Sequence, residues 1–141
     1  MTKKFFSTLV ALVIALTLIA PATANAASTD PYCRISYDSS VGCNTVKYYY
    51  YVSNVARYDS SRLVKFYDGK ILLGTSNTVV TTNHKSGTNP AWNTDGSYLI
   101  WIENDNSLYA RSFSSTTNTK IATNVSSLGL NAESMVETVT Y

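Results

Sequence analysis

Between Trp92 and Arg111 the chain spells turn, strand, turn, strand. Asp95-Gly96 supplies a tight turn, because these residues tolerate the backbone angles that such turns require. Tyr98, Leu99, Ile100, Trp101 and Ile102 form an unbroken aromatic and branched run, Asn104-Asp105-Asn106 turns the chain again, and Leu108 opens a second strand. This is a β-hairpin. Successive side chains of a strand point to opposite faces, so Tyr98, Ile100 and Ile102 face one way, and Leu99 and Trp101 the other. Both faces are apolar. A strand of that kind lies inside a stack of sheets or under a partner, so this hairpin demands a layer on each side.

The remaining sequence offers strands for those layers and almost no helical periodicity. Short runs rich in branched and aromatic residues are expected as strands at 32–37, 46–52, 63–67, 70–73, 78–82, 98–102, 108–113, 120–123 and 135–140. Ser, Thr, Asn, Asp and Gly separate them at short intervals. Residues 55–63 carry too many Ser, Tyr and Asp for a helix, and Asn131-Ala132-Glu133-Ser134 is at most one turn. The fold class expected is all-β: an antiparallel meander forming a partial β-propeller or a sandwich-like stack.

The first residues follow a different code. Lys3 and Lys4 precede an apolar run from Leu9 to Ala20, Pro21 breaks it, and Ala24 and Ala26 give the small-residue pattern of a signal-peptidase site. Residues 1–26 are therefore expected to be a signal peptide, and residues 27–141 a single secreted domain. The apolar run falls short of the roughly 20 residues that a spanning helix needs. The net charge of +2 belongs to Lys3 and Lys4, since the other nine Lys and Arg balance the nine carboxylates. The cations are scattered singly, so neither nucleic acid nor an anionic membrane is an expected partner. Export would place Cys33 and Cys43 where thiols oxidise, and a disulfide between them is expected, contributing about 2–3 kcal/mol through its short loop.

An internal repeat is also legible. With one gap, residues 43–54 align with 92–104. Without gaps, Leu63-Val64-Lys65-Phe66 aligns with Leu108-Tyr109-Ala110-Arg111 and Lys70-Ile71-Leu72-Leu73 with Lys120-Ile121-Ala122-Thr123, while a truncated third copy is expected to begin near Leu130. A period of roughly 40–50 residues suits units of three or four strands stacked on one another. Asn89-Pro90-Ala91-Trp92-Asn93-Thr94-Asp95-Gly96-Ser97-Tyr98-Leu99-Ile100-Trp101, followed by Ser107-Leu108-Tyr109, resembles the repeat of the TolB-like β-propellers. The upstream unit departs from it, with Cys43 in place of the Trp and no Asp-Gly turn, and the chain has room for two or three blades. The resemblance implies a packing role for Trp92 between sheets and a binding function in place of catalysis.

Catalytic chemistry finds little support. His84 is the sole histidine, sits in a polar loop where solvation is expected, and has no nucleophile motif near it. Metal and cofactor sites are not expected, because His and Cys run out before a ligand set is complete. Glu103 and Asp105 share a turn, and Asp38, Asp59, Asp68 and Asp95 each stand alone where turn formation accounts for them. Eleven Tyr with two Trp can build either a core or a surface for sugar or protein. The reading is a secreted, non-catalytic binding module for an extracellular protein or carbohydrate, with a small exported hydrolase or a secreted toxin or inhibitor as alternatives. It is expected to be a monomer whose sheet edges are guarded by charges such as Lys47, Lys65 and Arg111, with a ring of chains as the other outcome.

Overall fold

The structure, a computed structural model, describes residues 30–141, so the expected signal peptide lies outside the described residues. Eleven strands follow one another: β1 (Tyr32–Asp38), β2 (Cys43–Val52), β3 (Val55–Tyr67), β4 (Lys70–Leu73), β5 (Thr78–Thr81), β6 (Ala91–Trp92), β7 (Tyr98–Ile102), β8 (Leu108–Ser112), β9 (Thr119–Ala122), β10 (Ser127–Leu130) and β11 (Val136–Thr140). They pair antiparallel in chain order as three sheets, β1 to β5, β6 to β9, and β10 with β11. The fold is all-β and meandering, as expected. Among the described residues no helix is long and apolar enough to cross a membrane.

The middle sheet is covered on both faces. Leu99 and Trp101 join Trp92, Val46, Tyr48, Val64, Phe66 and Ile71 in a core against the first sheet. Ile100 and Ile102 join Leu108, Ala110, Val136 and Val139 in a second core against β10 and β11. Trp92 lies between the first two sheets, fully buried, with its ring edge-on to Tyr48 and Phe113 and its indole N–H donating to the Arg62 carbonyl at 3.1 Å. The strands aligned from the sequence occupy matching places: β2 and β7 are second in their sheets, β3 and β8 third, β4 and β9 fourth. The first and third sheets also meet at one edge, where the Cys33 N–H donates to the Glu133 carbonyl at 2.8 Å.

Gly96 shows how close the first two sheets come. Its φ of +71° fits the turn, and a Cβ there would stand 2.7 Å from the Tyr48 ring. Beside it, four residues of β3, Ser60 to Leu63, bulge opposite Lys47. The bulge delivers Arg62 into an aromatic box, 3.8 Å from the Phe113 ring centroid, with Nε donating to the Gly96 carbonyl and Nη1 to Asp59.

Two expectations need correction. Cys33 and Cys43 are free thiols. Cys33 pairs with Tyr48, and Cys43 with Asp38, at the other end of the β1–β2 hairpin. Five residues of strand separate the two positions by ~17 Å, far beyond the ~7 Å Cα limit of a disulfide, and an odd spacing puts them on opposite faces. Burial pushes the Cys33 thiol up to about 12. Nor do the expected charges guard edges. Lys47 and Lys65 lie on the interior strands β2 and β3, and Arg111 is buried on β8, where Nε donates to the Ser115 carbonyl.

Candidate functional site

The first sheet has one face on the core and one face open. Cys33, Ile35, Val46, Tyr48, Val64 and Phe66 turn inward. Alternation along β1, β2 and β3, with the observed register, therefore sends Tyr32, Arg34, Lys47, Tyr49, Tyr51, Tyr58 and Lys65 to the outer face. There Tyr58, Tyr49, Tyr32 and Tyr51 form a ladder across three strands, with ring centroids 5.6, 4.9 and 6.1 Å apart in turn. Tyr32 and Tyr49 are directly opposite, and their planes differ by 10°. Rings lying flat on the sheet could not approach to 4.9 Å side by side, so these two stack face to face and present edges outward.

Cations are interleaved with the phenols. Arg34 stands 5.6 Å from the Tyr32 ring centroid, Lys47 5.9 Å from that of Tyr58, and Lys70 5.8 Å from that of Tyr67. Lys47 is also ion-paired with Asp38 at 2.8 Å. The hydrogen bond from Lys47, with those from Ser40, holds the Asp38 carboxyl well below the usual carboxylate range. Further along this face Val41, Cys43, Lys65, Tyr67, Leu72 and Asn77 line a shallow cleft of about 470 Å³, with Lys65 Nζ donating to Asn77 Oδ1 at 2.5 Å. The outer face can offer phenol hydroxyls, ammonium and guanidinium donors, and a modest apolar floor.

A second polar group of residues lies where the first two sheets meet. Glu103, only 9% exposed, accepts from Thr81 Oγ1 at 2.8 Å, Asn83 Nδ2 at 3.1 Å and Trp101 Nε1 at 3.2 Å. His84 forms a backbone bridge with Glu103, and its N–H donates to the Gly69 carbonyl at 2.8 Å. The expectation of a solvated His84 is corrected: it is 4% exposed and edge-on to Phe66. The Thr88 hydroxyl spends its proton on the Lys85 carbonyl, so His84 Nε2, 3.2 Å from that oxygen, is the donor and the ring carries its proton there. Burial pushes the imidazole pKa down, against a smaller upward pull from Glu103. This cluster ties sheet to sheet. Neither the 470 Å³ cleft nor a second one of about 230 Å³ near Gly87 and Leu128 includes His84 or any carboxylate.

The scattered acidic residues remain scattered. Asp38, Asp59, Asp95 and Asp105 each accept from the backbone N–H of a serine two residues on, Ser40, Ser61, Ser97 and Ser107. An Asp-x-Ser turn thus recurs four times, a signal present in the sequence that single-residue inspection passes over. Among the described residues no three His, Cys, Asp or Glu side chains converge to hold a metal ion. Comparison of the chain with protein-family models, with curated proteins and with solved structures finds no match.

Proposed function

We propose that the protein is a secreted, non-catalytic binding module of the extracellular space or cell envelope, and that it binds through the outer face of β1, β2 and β3. One observation carries this reading. The middle sheet needs cover on both faces and has it, whereas no other sheet among the described residues covers the aromatic face of the first sheet, where Tyr58 is 43% exposed. Contiguous exposed aromatic surface on a folded domain marks a recognition site more often than chance exposure does. Tyrosine suits the task, since it gives large contact area with few rotors and a hydroxyl for orientation. The tip of the long β2–β3 hairpin also exposes Tyr50, Val52 and Val55, at 40, 47 and 53%, on the side opposite the tyrosine ladder.

The test uses the purified protein on glycan and cell-wall arrays, followed by titration of each hit. Replacing Tyr49 and Tyr58 by Ala is expected to weaken binding at least about tenfold while the melting temperature moves by only a few degrees. Unchanged binding by that double variant would move the site off this face.

A further inference from the structure

Resting on the binding-module reading, we propose that the ligand of the tyrosine face is an acidic polysaccharide, a chain of hydroxyl-rich rings bearing carboxylates. The charge of this face favours an anion. The register places Arg34, Lys47, Lys65 and Lys70 on the outer face, where Asp38 is the strand carboxylate beside them and Asp30 and Asp68 stand just beyond the ends of β1 and β3. Asp38 is already engaged by Lys47, while Arg34, Lys65 and Lys70 have no ion-pair partner among the described residues. Along the sequence these cations look isolated, and folding gathers them. A surface with unpaired guanidinium and ammonium groups beside phenols offers charge-assisted hydrogen bonds, which are stronger than neutral ones and favour an anionic ligand.

The arrangement of the rings separates a polysaccharide from other polyanions. Single-stranded nucleic acid is held by bases stacking on free aromatic faces. Here Tyr32 and Tyr49 stack on each other with centroids 4.9 Å apart, while Arg34 lies over the Tyr32 ring and Lys47 over the Tyr58 ring. Three of the four ladder rings thus already have a face engaged, and the ladder offers hydroxyls in a row set by the strand spacing. Such a row can exchange hydrogen bonds with ring hydroxyls and carboxylates along a chain laid across the strands. The cations flank this row, Arg34 beside Tyr32 and Lys47 beside Tyr58. A second copy of the same chain fits less well, because like charges on two such faces would meet.

The experiment is titration of the purified protein with polygalacturonate, with dextran as a neutral polymer and an oligothymidylate as the nucleic-acid probe, at low and high salt. Polygalacturonate is expected to bind, with affinity falling at least about tenfold between about 50 and 500 mM NaCl, and dextran to bind at least about tenfold more weakly. Arg34→Gln with Lys70→Gln, both at exposed positions, is expected to weaken polygalacturonate binding about fivefold or more with an unchanged melting temperature. Equal binding of dextran, tighter binding of the oligothymidylate, concentration-dependent self-association, or no polygalacturonate binding would each overturn the proposal. If the Tyr49 and Tyr58 variant still loses binding to some other array ligand, the binding-module reading stands and only the acidic-polysaccharide assignment falls.

Discussion

The first and middle sheets repeat a strand order in different surroundings. On β7, Leu99 and Trp101 are sealed against the first sheet, both at 1% exposure or less. At the aligned positions of β2 stand Tyr49 and Tyr51, half-buried on a face that no other described sheet covers. The exchange of Leu and Trp for Tyr follows the loss of a layer, because a phenol keeps one end hydrated while its ring still packs on a neighbour. The same strand order thus occurs once with cover on both faces and once, among the described residues, with one face uncovered. On the first sheet the residues that hold the fold, such as Val46 and Val64, and the outward tyrosines fall on opposite faces.

Truncating one residue of each kind separates the two faces most clearly. Trp101→Ala is expected to destabilise by about 3–5 kcal/mol, much of the stability of a domain this size, and Tyr51→Ala by under about 1 kcal/mol. Urea unfolding of the two variants measures the difference, and similar losses would mean that the outer face is structural. A smaller effect is expected at the seam. Gly96→Ala adds a Cβ 2.7 Å from the Tyr48 ring at a φ of +71°, so it should lower stability by about 2–3 kcal/mol. If the variant melts like the parent, the two sheets do not approach as described.

The smallest effect is a pH dependence at the same seam. His84 has a depressed pKa when folded, so the unfolded chain binds its proton first as pH falls. Its contribution is complete above the ordinary histidine pKa near 6.5 and is lost as pH drops from there through the folded value. The melting temperature should therefore decline from pH 7 towards pH 5, and His84→Gln should flatten that limb. A slope that persists in the variant would assign the dependence elsewhere.

Much of this architecture is legible in the residues. The strands at 70–73 and 98–102 are read from the sequence to the residue, because each pairs a continuous apolar run with turn residues at both ends. What escapes is set by tertiary context. Ala91–Trp92 is too short to show a period, and Ser127–Leu130 has glycine in it. The part of β3 from Val55 through its bulge, with Tyr58, Asp59 and Arg62, has no apolar alternation, since much of it pairs with β2 outside either core. His84 reads as a loop residue and is buried because the end of β7 and Phe66 of β3 arrive beside it. The tyrosine ladder needs the β1–β2 register, which no local pattern announces. Phenols at 32 and 49 become neighbours only once the chain reverses between Asp38 and Cys43.

The placement of the two cysteines has a consequence for how the molecule matures. With Cys33 in the core between sheets and Cys43 on the opposite face, the folded chain contains no bond that must wait for an oxidant. Its assembly is then governed by the closing of short hairpins, steps on the microsecond scale, and not by thiol exchange over seconds to hours. Reducing and oxidising compartments would deliver the same molecule. An oxidant acting before the sheets close could join the two thiols, and that cross-link would exclude the β1–β2 register on which the tyrosine ladder depends.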